Sequence, residues 1–552
     1  MSHQLPGGLS AQSSKEHLSV RIMSPKTLRE ATSSKTLVTE VNEREKKHIE
    51  VKETTSPHEP VSPEVEEALE RLSLPEVDSN IVLVDWEGPH DPHNPKNWNK
   101  GSKWTATLIV SLYGFISPLA SSIISPATEQ VQSDFGLTNS TVAALWTSMF
   151  VLAYGFGPLV FGPLSEIYGR TMVLHGANIF FFAFNLGCGF AQNTGQLLAF
   201  RFLAGFGGAC PLAVGGGVLG DVWRVEERGL AITVFSVAPL IGPVIGPITG
   251  AWIAQTVTWR WTFWSTSIAV AVIQVIGFLF LRETYAPVLL ERKANHVRNT
   301  MSVEDGIERE VKVKSGGERH WKVIVKKALL RPFHLFFSEP IVQILGVYMA
   351  FIYGLFYLFL TTVDGMFRGI YKESIGIGGL HYIDLGVGIT IVSIINALIM
   401  DKLYFYLEKR NGDGSGRPEF RLPPMVPGTF ILPIGLFLAG WTARGNILWI
   451  VSDIGVAFVG AGAILNFQVI QTYIIDSFTL HAASALAAVM FLRSLAAFGF
   501  PLFAPAMYNA LGYGKGDSIL ACVAIIIGCP APWFLWYYGE RLRKASKYAE
   551  AS

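Results

Sequence analysis

The chain has 552 residues, half of them apolar, with a mean hydropathy of +0.36 and a net charge of only +1. Charged residues make up 16% of it, against about 25% in soluble domains, which excludes an ordinary soluble enzyme. The net charge itself says little, but the basic patches do not form a nucleic-acid groove, and four cysteines inside apolar runs read as small core residues rather than a disulfide framework.

Residues 1–100 are rich in Ser, Glu, Lys and Pro and read as a disordered cytosolic arm, not as a signal peptide or a first span. Twelve apolar stretches of roughly 20 residues follow, and 20 helical residues rise about 30 Å, the thickness of a bilayer core. In lipid every backbone polar group needs an internal partner, so these runs are helices. The predicted spans are 104–126, 141–164, 172–191, 197–219, 230–255, 260–281, 338–360, 380–400, 423–442, 447–472, 482–508 and 518–538. The expected fold class is an all-α membrane protein, with twelve transmembrane helices in two pseudo-symmetric six-helix bundles. Its expected organisation is arm 1–100, N-terminal bundle 101–281, cytosolic loop 282–337, C-terminal bundle 338–538 and cytosolic tail 539–552.

Of 44 lysines and arginines, 37 fall on segments sharing a side with the arm, and Arg260, Arg368, Lys372, Arg444 and Lys515 on the other. This asymmetry predicts both termini in the cytosol. Residues 284–299 and 322–331 have the pattern of basic amphipathic helices on the inner membrane face, where lipid is the expected partner.

Span 1 offers Tyr113, Ser117, Ser121 and Ser122 as cavity-lining candidates, and span 2 offers Tyr154. The seam after span 2 reads Gly162-Pro-Leu-Ser-Glu166-Ile-Tyr-Gly169-Arg170. Glu166 and Arg170 either form a breakable inner latch or are an ordinary charged helix end. Arg201 lies early in span 4, where a charge costs about 2.5–3.5 kcal/mol. Either it snorkels to the outer surface, or it faces a wet cavity and biases a carboxylate or substrate there. In span 5, Gly242, Gly246 and Gly250 recur every four residues beside Pro243 and Pro247, a pattern for a kinked, closely packed helix.

Further along, Tyr353 and Tyr357 in span 7 and Asn466 and Gln468 in span 10 are lining candidates. Each reads either as a ligand or as a satisfied interhelical contact. Asp364 is either a proton carrier or a solvated loop residue, and Arg493 in span 11 repeats the argument made for Arg201. The halves look duplicated. Gly205, Gly207 and Asp221 recur 255 residues later as Gly460, Gly462 and Asp476, and duplicated halves build a central site in many transporters. No Walker loop, metal-ligand cluster or nucleophile elbow is present, so no cofactor, metal or enzyme activity is expected.

Taken together, these residues resemble the major facilitator superfamily, specifically its fungal twelve-span drug:proton antiporters. The likeness spans about residues 83–545. It is carried by Asp91-Pro-His-Asn-Pro-Lys-Asn-Trp98 before the membrane, Gly162–Arg170, Leu197–Ala209, Gly242-Pro-Val-Ile-Gly246-Pro247, Trp259–Phe263, Glu283–Pro287, Pro418–Arg421 and Ser484–Ser494. Glu166 stands where Asp is usual, Ala204 where glutamine is common, and Pro247 in place of a glycine. The resemblance implies proton-coupled export of drugs, toxins or fungal secondary metabolites by alternating access, from a monomer in the plasma membrane or, alternatively, the vacuolar membrane. It implies proton coupling through Arg201, an inner gate at Glu166 and Arg170, and sealing by span 5; replacing Arg201 by Ala is then expected to stop extrusion while leaving folding intact. The alternatives are a polyamine exporter, a proton-coupled nutrient importer, and, from another class, a membrane receptor or lipid-modifying enzyme.

Overall fold

The computed structural model describes residues 81–224, 227, 229–304, 310–313, 321–411 and 416–549; the arm before residue 81 lies outside them. The chain divides into two compact units, one of residues 1–91 with 290–316, the other of residues 92–289 with 317–552. In the first unit β1 (Ile81–Val84) pairs in parallel with β2 (Glu310–Val313), Val84 facing Val313. Val84, Val311 and Val313 pack with Leu290 and Ala294. The Lys293 ammonium donates to the Glu87 carboxylate at 3.0 Å. Part of the expected disordered arm is therefore a strand: the short run Ile-Val-Leu-Val finds an apolar partner far along the chain.

The second unit carries the membrane helices. Span 1 (Lys100–Ser122) starts at Asn99, whose side chain accepts from the Ser102 amide at 2.7 Å. Spans 2 and 3 are Ser140–Tyr168 and Arg170–Gly189. Span 4 comes in two pieces, Thr194–Gly208 and Cys210–Val222, because Pro211 cannot donate to the turn before it. Spans 5 and 6 are Gly229–Thr256 and Arg260–Phe280. Span 7 is Pro340–Tyr371, span 8 Tyr382–Arg410, span 9 Met425–Thr442 and span 10 Trp449–Ser477.

Among the described residues 11 helices are long and apolar enough to cross a membrane, and the last, Ala482–Ala545, runs for 64 residues. It is two crossings. Gly512 has φ 75°, outside helical geometry. The Tyr508 hydroxyl donates to Asp517 at 2.6 Å, whereas nine residues of straight helix span about 13.5 Å. The chain doubles back there, giving spans 11 and 12 as the apolar pattern requires.

Span 7 runs eleven residues past its expected end. Thr361 and Thr362 return hydroxyl bonds to carbonyls three or four residues back, and Asp364 pairs with Arg368 one turn on. Asp364 and Arg368 are thus helical residues, not loop residues.

Duplication is visible as matched contacts. Gly205 lets span 4 approach the Phe150 carbonyl of span 2, and Gly460 lets span 10 approach the Leu385 carbonyl of span 8. Gly207 faces span 3 at Ala177, and Gly462 faces span 9 at Leu432. Residues 255 positions apart do the same job against corresponding helices. The end at which span 6 stops and span 7 begins is called the linker end below, the opposite one the far end.

Candidate functional site

Arg201 is fully buried. Its Nε donates to the Trp146 carbonyl at 2.6 Å, Nη1 to Ala120 at 2.7 Å and Nη2 to Ser121 at 2.5 Å. Span 1 stops at Ser122, so Ala120 and Ser121 are in its last turn, where carbonyls have no intrahelical donor and the helix end is partially negative. The guanidinium caps that helix, lying 4.6 Å from the Phe150 ring. It neither snorkels to the surface nor faces a wet cavity, and among the described residues no carboxylate pairs with it.

Next to this cap the halves meet. Ser117 and Tyr154 share a hydroxyl bond of 2.7 Å, and Ser121 reaches across to Tyr357 of the other half at 3.1 Å. Tyr353, one turn from Tyr357 towards the linker end, lies 5.2 Å from it ring to ring. Arg493 sits 4.6 Å from the Tyr353 ring and 5.0 Å from that of Phe467. Its Nε is buried with no hydrogen-bond partner, while the side chain as a whole stays partly exposed. The predicted Tyr154, Tyr353 and Tyr357 therefore converge with a cation that lies over two aromatic rings.

Three other lining candidates point elsewhere. Tyr113 is buried, donating to Gln274 of span 6 at 3.1 Å beside His175 of span 3. Asn466 donates to the Gly462 carbonyl and faces Gly428 of span 9. Gln468 joins Asn396 and Ser393 of span 8, at 2.8 and 3.1 Å. Phe467, the residue between these last two, is the one that faces Arg493. Consecutive helical residues point about 100° apart, so a polar-residue search along span 10 passes over the apolar position that lines the centre.

The span 5 glycines pack on span 1 within their own bundle. A β-carbon at Gly242 would stand 2.7 Å from the Phe115 carbonyl, and Gly246 and Gly250 meet Leu119 and Ile123. Pro247 has no N–H for the Pro243 carbonyl, and the Ser122 hydroxyl donates to that carbonyl at 3.0 Å instead. The seam between halves runs along other positions, Val244 against Gly386 and Ala251 against Gly379.

At the seam after span 2, Glu166 is exposed and makes no ion pair among the described residues. Arg170 binds Asp221 at 3.2 Å and Ser165 at 2.6 Å and lies over the Tyr285 ring. Glu283 accepts from the Arg170 and Thr171 amides at 2.9 and 3.3 Å, capping span 3. Gly169, at φ 97°, lies against that carboxylate with no room for a side chain; Gly162 has open space around it. The other half repeats the device: Arg421 binds Asp476 at 3.0 Å and Asp401 at 2.5 Å and lies over the Tyr404 ring. The 255-residue repeat had flagged Asp221 and Asp476, but the arginine partners were not legible in spacing.

At the far end, Arg368 of span 7 binds Glu129 of the other half at 2.6 Å and Asp364 at 3.2 Å. The Ser125 hydroxyl donates to the Leu360 carbonyl at 2.7 Å, and the Gly376 amide to Gln255 at 2.5 Å. A cleft of about 160 Å³ remains there, lined by Glu129, Thr361, Asp364 and Arg368 among others. His381, Asp384 and Asp453 come close enough to hold a cation. Both imidazole nitrogens of His381 are already engaged, by Asp453 at 2.9 Å and Glu373 at 2.7 Å.

Residues 110–543 match the model of the Major Facilitator Superfamily. The chain is 46% identical over 477 residues to the efflux pump vrtL of Penicillium aethiopicum, covering 86% of this chain and 93% of that protein. It is 41% identical to the MFS-type transporter penM of Penicillium rubens, covering 84% and 90%. With the efflux pump radE of Floropilus chiversii it shares 39% over 86% of each. Among solved structures, a proton:xylose symporter bound to a bromodeoxyglucose aligns at TM-score 0.58 and 17% identity, over 80% of this chain and 96% of that one. That likeness bears on the fold alone.

Proposed function

The chain belongs to the Major Facilitator Superfamily, and from that premise we propose that it exports small organic molecules, drugs or fungal secondary metabolites, in exchange for protons. The observation that carries this reading is the 46% identity, across 86% of the chain, to a protein described as an efflux pump. The geometry is compatible with alternating access. Two duplicated bundles meet at a tyrosine cluster, closed towards the far end by the Arg368–Glu129 pair and the Ser125–Leu360 bond. The charge asymmetry supports a cytosolic linker end and termini, so the closed far end is the one that faces outward. The protein acts as a monomer in the plasma membrane, without cofactor, enzyme activity or nucleic-acid partner.

Proton coupling needs a group that gains and loses a proton. Arg201 serves it by position, holding the span 1 end that carries Ser117 and Ser121 against Tyr154 and Tyr357. Asp364 is the carrier we favour: it is buried and shares Arg368 with Glu129 of the other half. A proton on Asp364 removes one of the two carboxylates holding Arg368 and loosens the far-end closure. Arg170–Asp221 and Arg421–Asp476 hold the linker ends of the two bundles in place.

The test is transport in proteoliposomes under an imposed pH gradient, with a panel of aromatic metabolites. Substrate moving against the proton flow supports the reading, and substrate moving with it means import. Asp364→Asn should abolish gradient-driven accumulation while leaving downhill exchange.

A further inference from the structure

Arg493 is a guanidinium deep in a membrane helix that the protein itself does not neutralise. It lies over the rings of Tyr353 and Phe467, at 4.6 and 5.0 Å from their centroids, and no ion pair to it occurs among the described residues. Its Nε is buried and unpartnered, in a protein that elsewhere gives each nitrogen of an intramembrane arginine a backbone acceptor. No hydrogen bond to its N–H groups occurs among the described residues, and a guanidinium offers a planar set of N–H donors shaped for a carboxylate. The position is central. Tyr353 lies one turn from Tyr357, whose hydroxyl bonds Ser121 of the other half, so both residues share the face of span 7 that meets the opposite bundle. Phe356 lies stacked near Tyr353, its plane 25° away with centroids 6.2 Å apart, adding a second flat apolar wall.

We propose that Arg493, with Tyr353 and Phe467, is a subsite for the carboxylate or phenolate of a planar aromatic organic anion, the ionised group on the guanidinium edge and the ring against the aromatic wall. This rests on the export reading, whose substrate site it specifies, and it narrows the cargo to weak organic acids. A polycation is disfavoured there by Arg493 itself, since among the described residues no carboxylate pairs with it to offset the repulsion.

Binding to the purified full chain in detergent tests this without requiring transport, with 1-naphthoate and its uncharged amide as probes. Naphthoate is expected to bind about tenfold tighter than the amide, and Arg493→Gln to erase that preference. Arg493→Lys, which keeps the charge and loses the fork, should retain only part of the preference. Equal affinity of wild-type protein for the two probes overturns the proposal even if the variants do not fold. So does an unchanged preference in Arg493→Gln. Anion preference in a protein that moves no compound across liposomes would instead sink the export reading and leave this site standing.

Discussion

Arg201 and Arg493 are both guanidinium groups inside apolar helices, and their surroundings are opposite. Arg201 spends its donors on three backbone carbonyls, two of them at the orphaned end of span 1. Arg493 has aromatic faces around it and an unpartnered, buried Nε. A charge in a membrane span costs free energy unless something offsets it. Where a helix end supplies that offset the arginine belongs to the scaffold, and where only rings do, the remainder falls to a ligand. The same residue type inside a span thus gives a structural part in one bundle and, in the proposed reading, a receptive one in the other.

The sharpest way to break this comparison is to remove both cations. Arg201→Gln should cost about 3 kcal/mol or more, since hydrogen bonds from a charged donor are worth roughly 1.5–3 kcal/mol each; thermal melting of the purified protein in detergent would read it. This revises the expectation that the chain folds normally without Arg201. Stability within a degree of wild type would mean that the carbonyl cap is not structural. A smaller loss, about 1–3 kcal/mol, is expected for Gly205→Val, because a side chain there meets the Phe150 carbonyl and pushes span 4, with Arg201, away from span 2. Its melting temperature and transport should fall together.

Arg493→Gln should change stability by no more than about 2 kcal/mol, the scale of a desolvated cation–π contact, while selectively weakening the binding of anionic ligands. A melting loss as large as that of Arg201→Gln would show that the two arginines are alike and refute the contrast. Least affected should be Glu166→Gln. That side chain is exposed and unpaired, so neither melting nor transport should move, whereas Asp221→Asn, which removes the partner of Arg170, should lower both. If Glu166→Gln is as damaging as Asp221→Asn, the exposed carboxylate acts in a conformation other than this one.

Much of the architecture was legible beforehand because it follows from one-dimensional quantities. Apolar runs of membrane length gave the twelve spans, and the 255-residue repeat found two glycine pairs and two aspartates that make corresponding contacts. Tyr154, Tyr353 and Tyr357 were picked out as amphipathic residues on spans and do converge. Tyr113, Asn466 and Gln468 were picked out on the same grounds and face neighbours within their own bundles, because polarity says nothing about azimuth. Phe467 was passed over because it is apolar, and the pairs Arg368–Glu129 and Arg421–Asp476 because their members lie far apart in sequence.

The sequence by itself determined the class, the number of crossings, the duplication and the stripe of close helix approach on span 5, because hydropathy, length and the absence of a side chain are properties of residues and short segments. Tertiary structure alone decided which cation is capped and which is left open, which carboxylate each arginine takes, and which face of span 10 reaches the centre. Those outcomes depend on where a helix stops and what stands opposite it, and both are set only when the twelve helices pack.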